Sequence, residues 1–218
     1  MEIKEIKKIY SALDKGLEKY PLPFAENACL TYKKPFFVLI AAILSTRTLD
    51  KTTAIACKRL FKKVKRFEDL EKISQTELED LLYPIGFYKT KAKHLKELSS
   101  VVKEKFNGEV PEEIGQLLEL PGVGRKTANL VVSVAFGKPG VCVDTHVHRI
   151  TNILGIVKTK NPLETEMELR KILPKELWNK TNYLFVTLGQ NICYSRKPNC
   201  VVCPIKELCP VGKKTKIK

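Results

Sequence analysis

Apolar residues recur along this chain at helical spacing, and no stretch of it alternates as a half-buried strand would. In the first segment Ile3, Ile6, Tyr10, Leu13 and Leu17 fall three or four apart, close to one face of a helix, and Pro21 and Pro23 end it. The same spacing predicts helices over residues 36–44, 51–64, 68–82, 89–106, 112–118, 125–136, 146–154, 163–173 and 175–190. Turn signals such as Pro84-Ile85-Gly86, Asn107-Gly108 and Gly137-Lys138-Pro139-Gly140 separate them, so the expected fold is all-α with short connections. Residues 212–218 read as a basic, frayed tail. A chain of 218 residues, 44% of them hydrophobic, buries a real core without disulfide staples. Its longest apolar run, residues 36–44, is far short of the roughly 20 residues a bilayer span needs. The N-terminus lacks the apolar stretch and cleavage site of a secretory signal, which predicts an intracellular protein.

Lys and Arg outnumber Asp and Glu by 39 to 24, a formal charge of +15. Such an excess favours a polyanionic partner, nucleic acid above all, with salt-dependent affinity. A merely Lys-rich, well-solvated surface would carry the same composition, so the charge restricts the partner without naming it.

Of seven cysteines, Cys29, Cys57 and Cys142 are scattered among apolar neighbours. The other four form the pattern Cys193-x6-Cys200-x2-Cys203-x5-Cys209, within 17 residues. Crowding of that kind in an intracellular chain points to metal rather than disulfides. From ligand type alone, structural zinc and an iron-sulfur cluster both remain open. All four positions are cysteine, so no open metal site is implied and the role is structural. The six residues between the first two cysteines include Arg196 and Lys197, two cations that suit a DNA backbone or simply a solvated loop.

Residues 120–124, Leu-Pro-Gly-Val-Gly, join two helical patterns, one with Ile114, Leu117 and Leu118 on a face, the next with Ala128, Val131, Val132, Ala135 and Phe136. Two helices so briefly joined make a hairpin. Gly122 and Gly124 permit close backbone approach, and the start of the second helix offers N–H groups to an anion such as a DNA phosphate, with Val123 and Arg125 beside it. Gly-x-Gly by itself also fits an ordinary connection. Lys126 follows in the first turn, where the helix dipole and Arg125 are unfavourable neighbours for an ammonium. An uncharged amine there can attack a sugar C1′ and form a Schiff base, although a phosphate-contacting lysine fits the position equally well. Asp144 lies 18 residues on, just before the helical stretch 146–154. It suits an N-cap, and a carboxylate beside a reacting sugar also accepts a proton or offsets positive charge at C1′.

The strings LPGVGRKTAN (120–129) and VDTHVHRI (143–150), with the 6, 2, 5 spacing of the terminal cysteines, resemble the endonuclease III family in order and spacing over nearly the whole chain. The resemblance implies a helix-hairpin-helix DNA glycosylase with two helical lobes, residues 28–138 containing the hairpin, and residues 1–27 plus 139–218 carrying a [4Fe-4S] loop at 193–209. It implies that Cys193, Cys200, Cys203 and Cys209 hold that cluster, that Lys126 is the nucleophile, and that Asp144 activates catalysis facing it across a cleft. Adenine-specific relatives lack this lysine and hydrolyse, so its presence favours the bifunctional branch: removal of damaged bases, oxidised pyrimidines foremost, followed by β-elimination at the abasic site. The loop at 45–50 resembles one that carries glutamine in the family where this chain has Arg47. The loop at 85–88 resembles one that inserts an apolar residue into the duplex, which makes Phe87 the wedge candidate against simple core packing. Double-stranded DNA with a damaged base or abasic site is the implied partner of a monomer working in the cytoplasm or nucleoid of a prokaryote.

Overall fold

The structure, a computed structural model, describes residues 1–24, 27 and 34–215; Cys29 and the tail residues 216–218 lie outside them. The helices are α1 Ile3–Leu17, α2 Pro35–Ser45, α3 Asp50–Lys63, α4 Phe67–Lys72, α5 Gln75–Leu82, α6 Tyr88–Phe106, α7 Ile114–Leu117, α8 Arg125–Phe136, α9 Thr145–Ile153, α10 Pro162–Ile172, α11 Trp178–Asn191 and α12 Pro210–Lys214. Short 3-10 turns lie at Lys175–Leu177, Cys200–Val202 and Lys206–Leu208. No strand occurs among the described residues, as the all-α expectation requires. No helix among them is long and apolar enough to cross a membrane. The chain divides into two compact units, residues 24–138 and residues 1–23 with 139–218.

In the unit 24–138, α2 is apolar on every side, and its residues 36–44 are all buried, as a helix surrounded by others must be. Pro35 starts it at a position where the missing N–H costs nothing. It packs on α3, α6 and α8. Phe36 meets Phe67 and Phe37 meets Phe61 edge-on, each at 4.8 Å between ring centroids. The single helix expected over 68–82 is two. The Ser74 hydroxyl accepts from the Glu77 N–H at 3.1 Å and starts α5 afresh. Lys96 Nζ meanwhile donates to the carbonyls of Leu70, Glu71 and Ile73 at 2.9, 3.0 and 2.7 Å, so the end of α4 is satisfied without another turn. Of the stretch 112–118 only Ile114–Leu117 is helical.

In the other unit α1 buries Ile6, Ile9, Tyr10, Leu13 and Leu17. Ile3 stays exposed, so the buried face is set by Ile9 rather than by the first isoleucine. Tyr10 meets the fully buried Phe185 of α11 edge-on at 5.5 Å and shares a 2.9 Å hydrogen bond with the Thr181 hydroxyl. α9 packs on α11, and the Gly140 N–H donates to Asn179 Oδ1 at 3.0 Å, which ties the entry of residues 139–144 to α11. The helix expected over 175–190 begins with a 3-10 turn and only then becomes α11. The frayed tail expected over 212–218 is corrected at its start: Pro210 opens α12, the Lys213 N–H donates to the Cys209 carbonyl at 3.0 Å, and Gly212 is buried.

Candidate functional site

The hairpin between α7 and α8 is held from inside. Leu120 and Val123 are buried, and the Val123 N–H donates to the Leu120 carbonyl at 3.1 Å. Val123 is therefore the loop's anchor, and neither its side chain nor its amide is presented for contact. Gly122 adopts φ +76°, and a Cβ there would lie 2.9 Å from His94 Nδ1, so both its conformation and its packing exclude other residues. Gly124 is the N-cap of α8 and supplies no capping side chain. The first turn of that helix is thus the kind of N-terminus at which an anion is stabilised. Lys126 is exposed in this turn, and Arg125 is half-buried beside it.

Asp144 belongs to the unit 1–23 with 139–218 and is the N-cap of α9. Its Oδ1 accepts from the N–H groups of His146 and Val147, both at 2.8 Å. One carboxylate oxygen thus carries the whole capping function. The second can accept a proton or face a cation, so the structural and chemical roles do not compete for the same atom. An open pocket of about 490 Å³ adjoins this helix start, lined by Thr145, His146, Arg149, Gln190, Tyr194 and Ser195.

Arg47 and Phe87 are brought together. Both lie at left-handed backbone positions, φ +51° and +59°, and the guanidinium stacks on the phenyl ring at 5.4 Å. Phe87 is 61% exposed, which removes core packing as an explanation for it. Leu49, two residues after Arg47, is 78% exposed, an apolar side chain that periodicity did not single out. Gly86 is needed where the two loops meet, because a Cβ there would lie 2.6 Å from the Arg47 carbonyl oxygen. The Gly86 N–H donates to Thr48 Oγ1 at 3.1 Å. Lys91, 4% exposed, is a further residue that the sequence reading missed. It shares a helical stripe with Leu95 and Leu98, and a charge on an apolar stripe is the signal that marks it. Burial pulls its ammonium down to about 8, opposed by Cys57 of α3, whose own thiol burial pushes up to about 12.

The four terminal cysteines also come together. All four line one cavity of about 100 Å³, whose other walls include Ile150, Leu188 and Ile205. Among the described residues, no three His, Cys, Asp or Glu side chains are grouped as ligands of one metal ion. Burial first, and then the proximity of Cys193, Cys209 and Cys200, push the Cys203 thiol up to about 11. Thiols so placed oppose one another's ionisation, which is the situation a cationic centre relieves. Arg149 reaches the same place, donating to Cys193 Sγ at 3.6 Å and to the Cys193 carbonyl. Arg196 and Lys197 are exposed on the loop.

Residues 40–175 match the family described as HhH-GPD superfamily base excision DNA repair protein. Endonuclease III of Thermotoga maritima is 47% identical over 175 residues, covering 80% of this chain and 82% of that protein. Among solved structures, a non-covalent endonuclease III–DNA complex is similar with a TM-score of 0.87 at 37% identity, covering 98% of each chain. A trapped endonuclease III–DNA covalent intermediate is similar with a TM-score of 0.80 at 37% identity, covering 95% of this chain and 97% of that one.

Proposed function

The chain belongs to the HhH-GPD superfamily of base excision DNA repair proteins, and from that premise we propose how its own residues perform the reaction. It is a DNA glycosylase and abasic-site lyase of the endonuclease III type, acting on double-stranded DNA. Lys126 is the nucleophile. Its uncharged Nζ attacks C1′ of the damaged nucleotide, the glycosidic bond breaks, and the base leaves with the bonding electrons and takes up a proton. Loss of one amine proton gives an aminal, and cleavage of the C1′–O4′ bond, with O4′ taking up a proton, opens the sugar to a protonated Schiff base. Removal of a C2′ proton then expels the 3′ phosphate by β-elimination, and water releases the lysine. Asp144 acts through the carboxylate oxygen not used in capping, taking the ammonium proton from the nucleophile or offsetting positive charge at C1′.

The observation that carries the lysine's assignment is its position: an exposed amine in the first turn of α8, directly after a hairpin whose helix start has no side-chain cap. Gly122, Gly124 and Arg125 hold a backbone phosphate there, while Arg196 and Lys197 add cationic contacts from the cysteine loop. Arg47 and Phe87 form the tip that enters the base stack when the lesion is extruded, at a cost of a few kcal/mol that the wedge offsets. Oxidised pyrimidines are the proposed lesions. The protein works inside the cell, on the chromosome of a prokaryote.

Cys193, Cys200, Cys203 and Cys209 hold a [4Fe-4S] cluster. The 6, 2, 5 spacing, which resembles the cluster loop of the endonuclease III family, supports it over a single zinc ion, and four thiols lining one cavity fit it. When bound it orders the loop that carries Arg196 and Lys197, and it supplies no step of the chemistry.

Borohydride reduction during turnover of lesion-containing duplex tests the nucleophile. The native protein yields a covalent DNA adduct. Lys126→Gln binds damaged DNA with affinity close to normal and yields none. An adduct forming at the native rate in that variant would show that another amine attacks.

A further inference from the structure

Lys91 is a buried cation in α6 that the chemistry above does not use. Its Nζ donates to the Leu44 carbonyl at 2.7 Å, to the Thr46 carbonyl at 2.6 Å and to Thr48 Oγ1 at 3.1 Å. An ammonium has three hydrogens, and here it has three acceptors, all at the end of α2 and in the loop that follows. The Lys91 backbone N–H donates to the Phe87 carbonyl at 2.9 Å. Thr48 Oγ1 is shared, because it also accepts from the Gly86 N–H at 3.1 Å. One residue therefore grips both loops of the tip, with its side chain holding the Arg47 loop and its main chain holding the Phe87 loop.

The grip matters because the two prongs stand on unfavourable backbone. Arg47 and Phe87 both occupy left-handed φ, where a side chain costs about 1 kcal/mol or more. Such conformations persist only where their surroundings over-determine them. The Leu44 carbonyl lies in the last turn of α2, where the helix supplies no donor, and the Thr46 carbonyl just beyond it accepts as well from the Thr48 hydroxyl at 3.3 Å. Lys91 supplies charge-assisted donors to those carbonyls and in the same contact fixes the path of the chain through Arg47.

We infer that Lys91 is a positioning residue for base extrusion: it holds the Arg47 and Phe87 loops in one rigid two-pronged tip without touching DNA. This rests on the assignment of that tip to the base stack. The residue acts before chemistry, on lesions that must be taken out of a paired helix, and contributes nothing where the sugar is already accessible.

Lys91→Met keeps the apolar stem and removes all three donors. In single-turnover assays it should slow base release from a lesion paired in duplex by about tenfold or more, while cleavage of a pre-formed abasic site in single-stranded DNA stays within about twofold. The same substitution in an Arg47→Ala, Phe87→Ala background should add less than about twofold, because residues acting as one unit are not additive. Thr48→Val, which removes only the shared hydroxyl, should reproduce the substrate pattern more weakly and serves if Lys91→Met does not fold. Equal losses on both substrates by either variant, or a Lys91→Met loss that persists undiminished in the tip-less background, overturn the inference. If the tip-less protein is impaired on paired lesions while Lys91→Met is normal, the clamp alone is wrong. If the tip-less protein extrudes paired lesions normally, the tip assignment fails and the clamp falls with it.

Discussion

Asp144 is asked to cap a helix and to assist a reaction, and the geometry allows the two to be separated by substitution. Its Oδ1 takes both capping N–H groups, those of His146 and Val147 at 2.8 Å. Asp144→Ala removes that acceptor and leaves two helix-start amides without it, which should cost about 1–2 kcal/mol. For a domain of this size each kcal/mol lowers Tm by roughly 2–4 °C, so the melt should fall by about 2–8 °C. Asp144→Asn keeps a side-chain oxygen at the same place and loses only the charge. Its stability should stay within a few tenths of a kcal/mol, or about 1 °C. Loss of a positioned proton acceptor should nevertheless slow the single-turnover rate about 100-fold or more in both variants. Thermal melts and single-turnover kinetics on a lesion duplex, run side by side, give the two numbers for each protein. An Asn variant with nearly native rates would reduce Asp144 to a cap. An Ala variant that melts with the native protein would mean that the two capping bonds contribute nothing.

Phe87→Ala removes a side chain that is already 61% exposed, so its melt should shift by less than about 0.5 kcal/mol equivalent, while turnover of paired lesions falls more than cleavage of abasic sites. Equal losses on the two substrates would count against a wedge. Cys203→Ala should lose visible absorption, thermal stability and DNA affinity together; native stability and lyase rate without the absorption would remove the cluster's structural role. Lys91 supplies a pH test. Its folded value of about 8 lies below the ordinary 10.5, so the folded protein binds this proton less tightly than the unfolded chain does. Its contribution to stability is therefore least favourable below about pH 8 and improves as pH rises from there toward 10.5. By the same linkage an opening that exposes Lys91 becomes less favourable over that range, so exchange of the Gly86 amide, corrected for the intrinsic rate, should fall as pH rises in the native protein and not in Lys91→Met. Parallel curves for the two proteins would refute it.

What the sequence determined by itself was everything encoded over short spans. Helical periodicity, the hairpin string at 120–129, the aspartate before α9 and four cysteines within 17 residues are each readable because the residues that cooperate are neighbours in the chain. Even the break within 68–82 had a local signal, Ser74 with Glu77 three residues on, although the lysine that satisfies the preceding carbonyls lies 23–26 residues away. Tertiary structure decided the rest. That Val123 anchors the hairpin loop, that Phe87 stands outside the core, and that Leu49 is exposed depend on which surfaces pack together, and hydrophobicity alone does not distinguish a wedge from a core residue. Lys91 is the clearest case. Its place on the apolar stripe with Leu95 and Leu98 marks it as a charge on a buried face but not what it meets, because its partners stand 43–47 residues earlier in the chain. Only folding brings one ammonium against two carbonyls and a hydroxyl, and burial there makes those contacts obligatory, because a charge removed from water must find its hydrogen-bond partners within the protein.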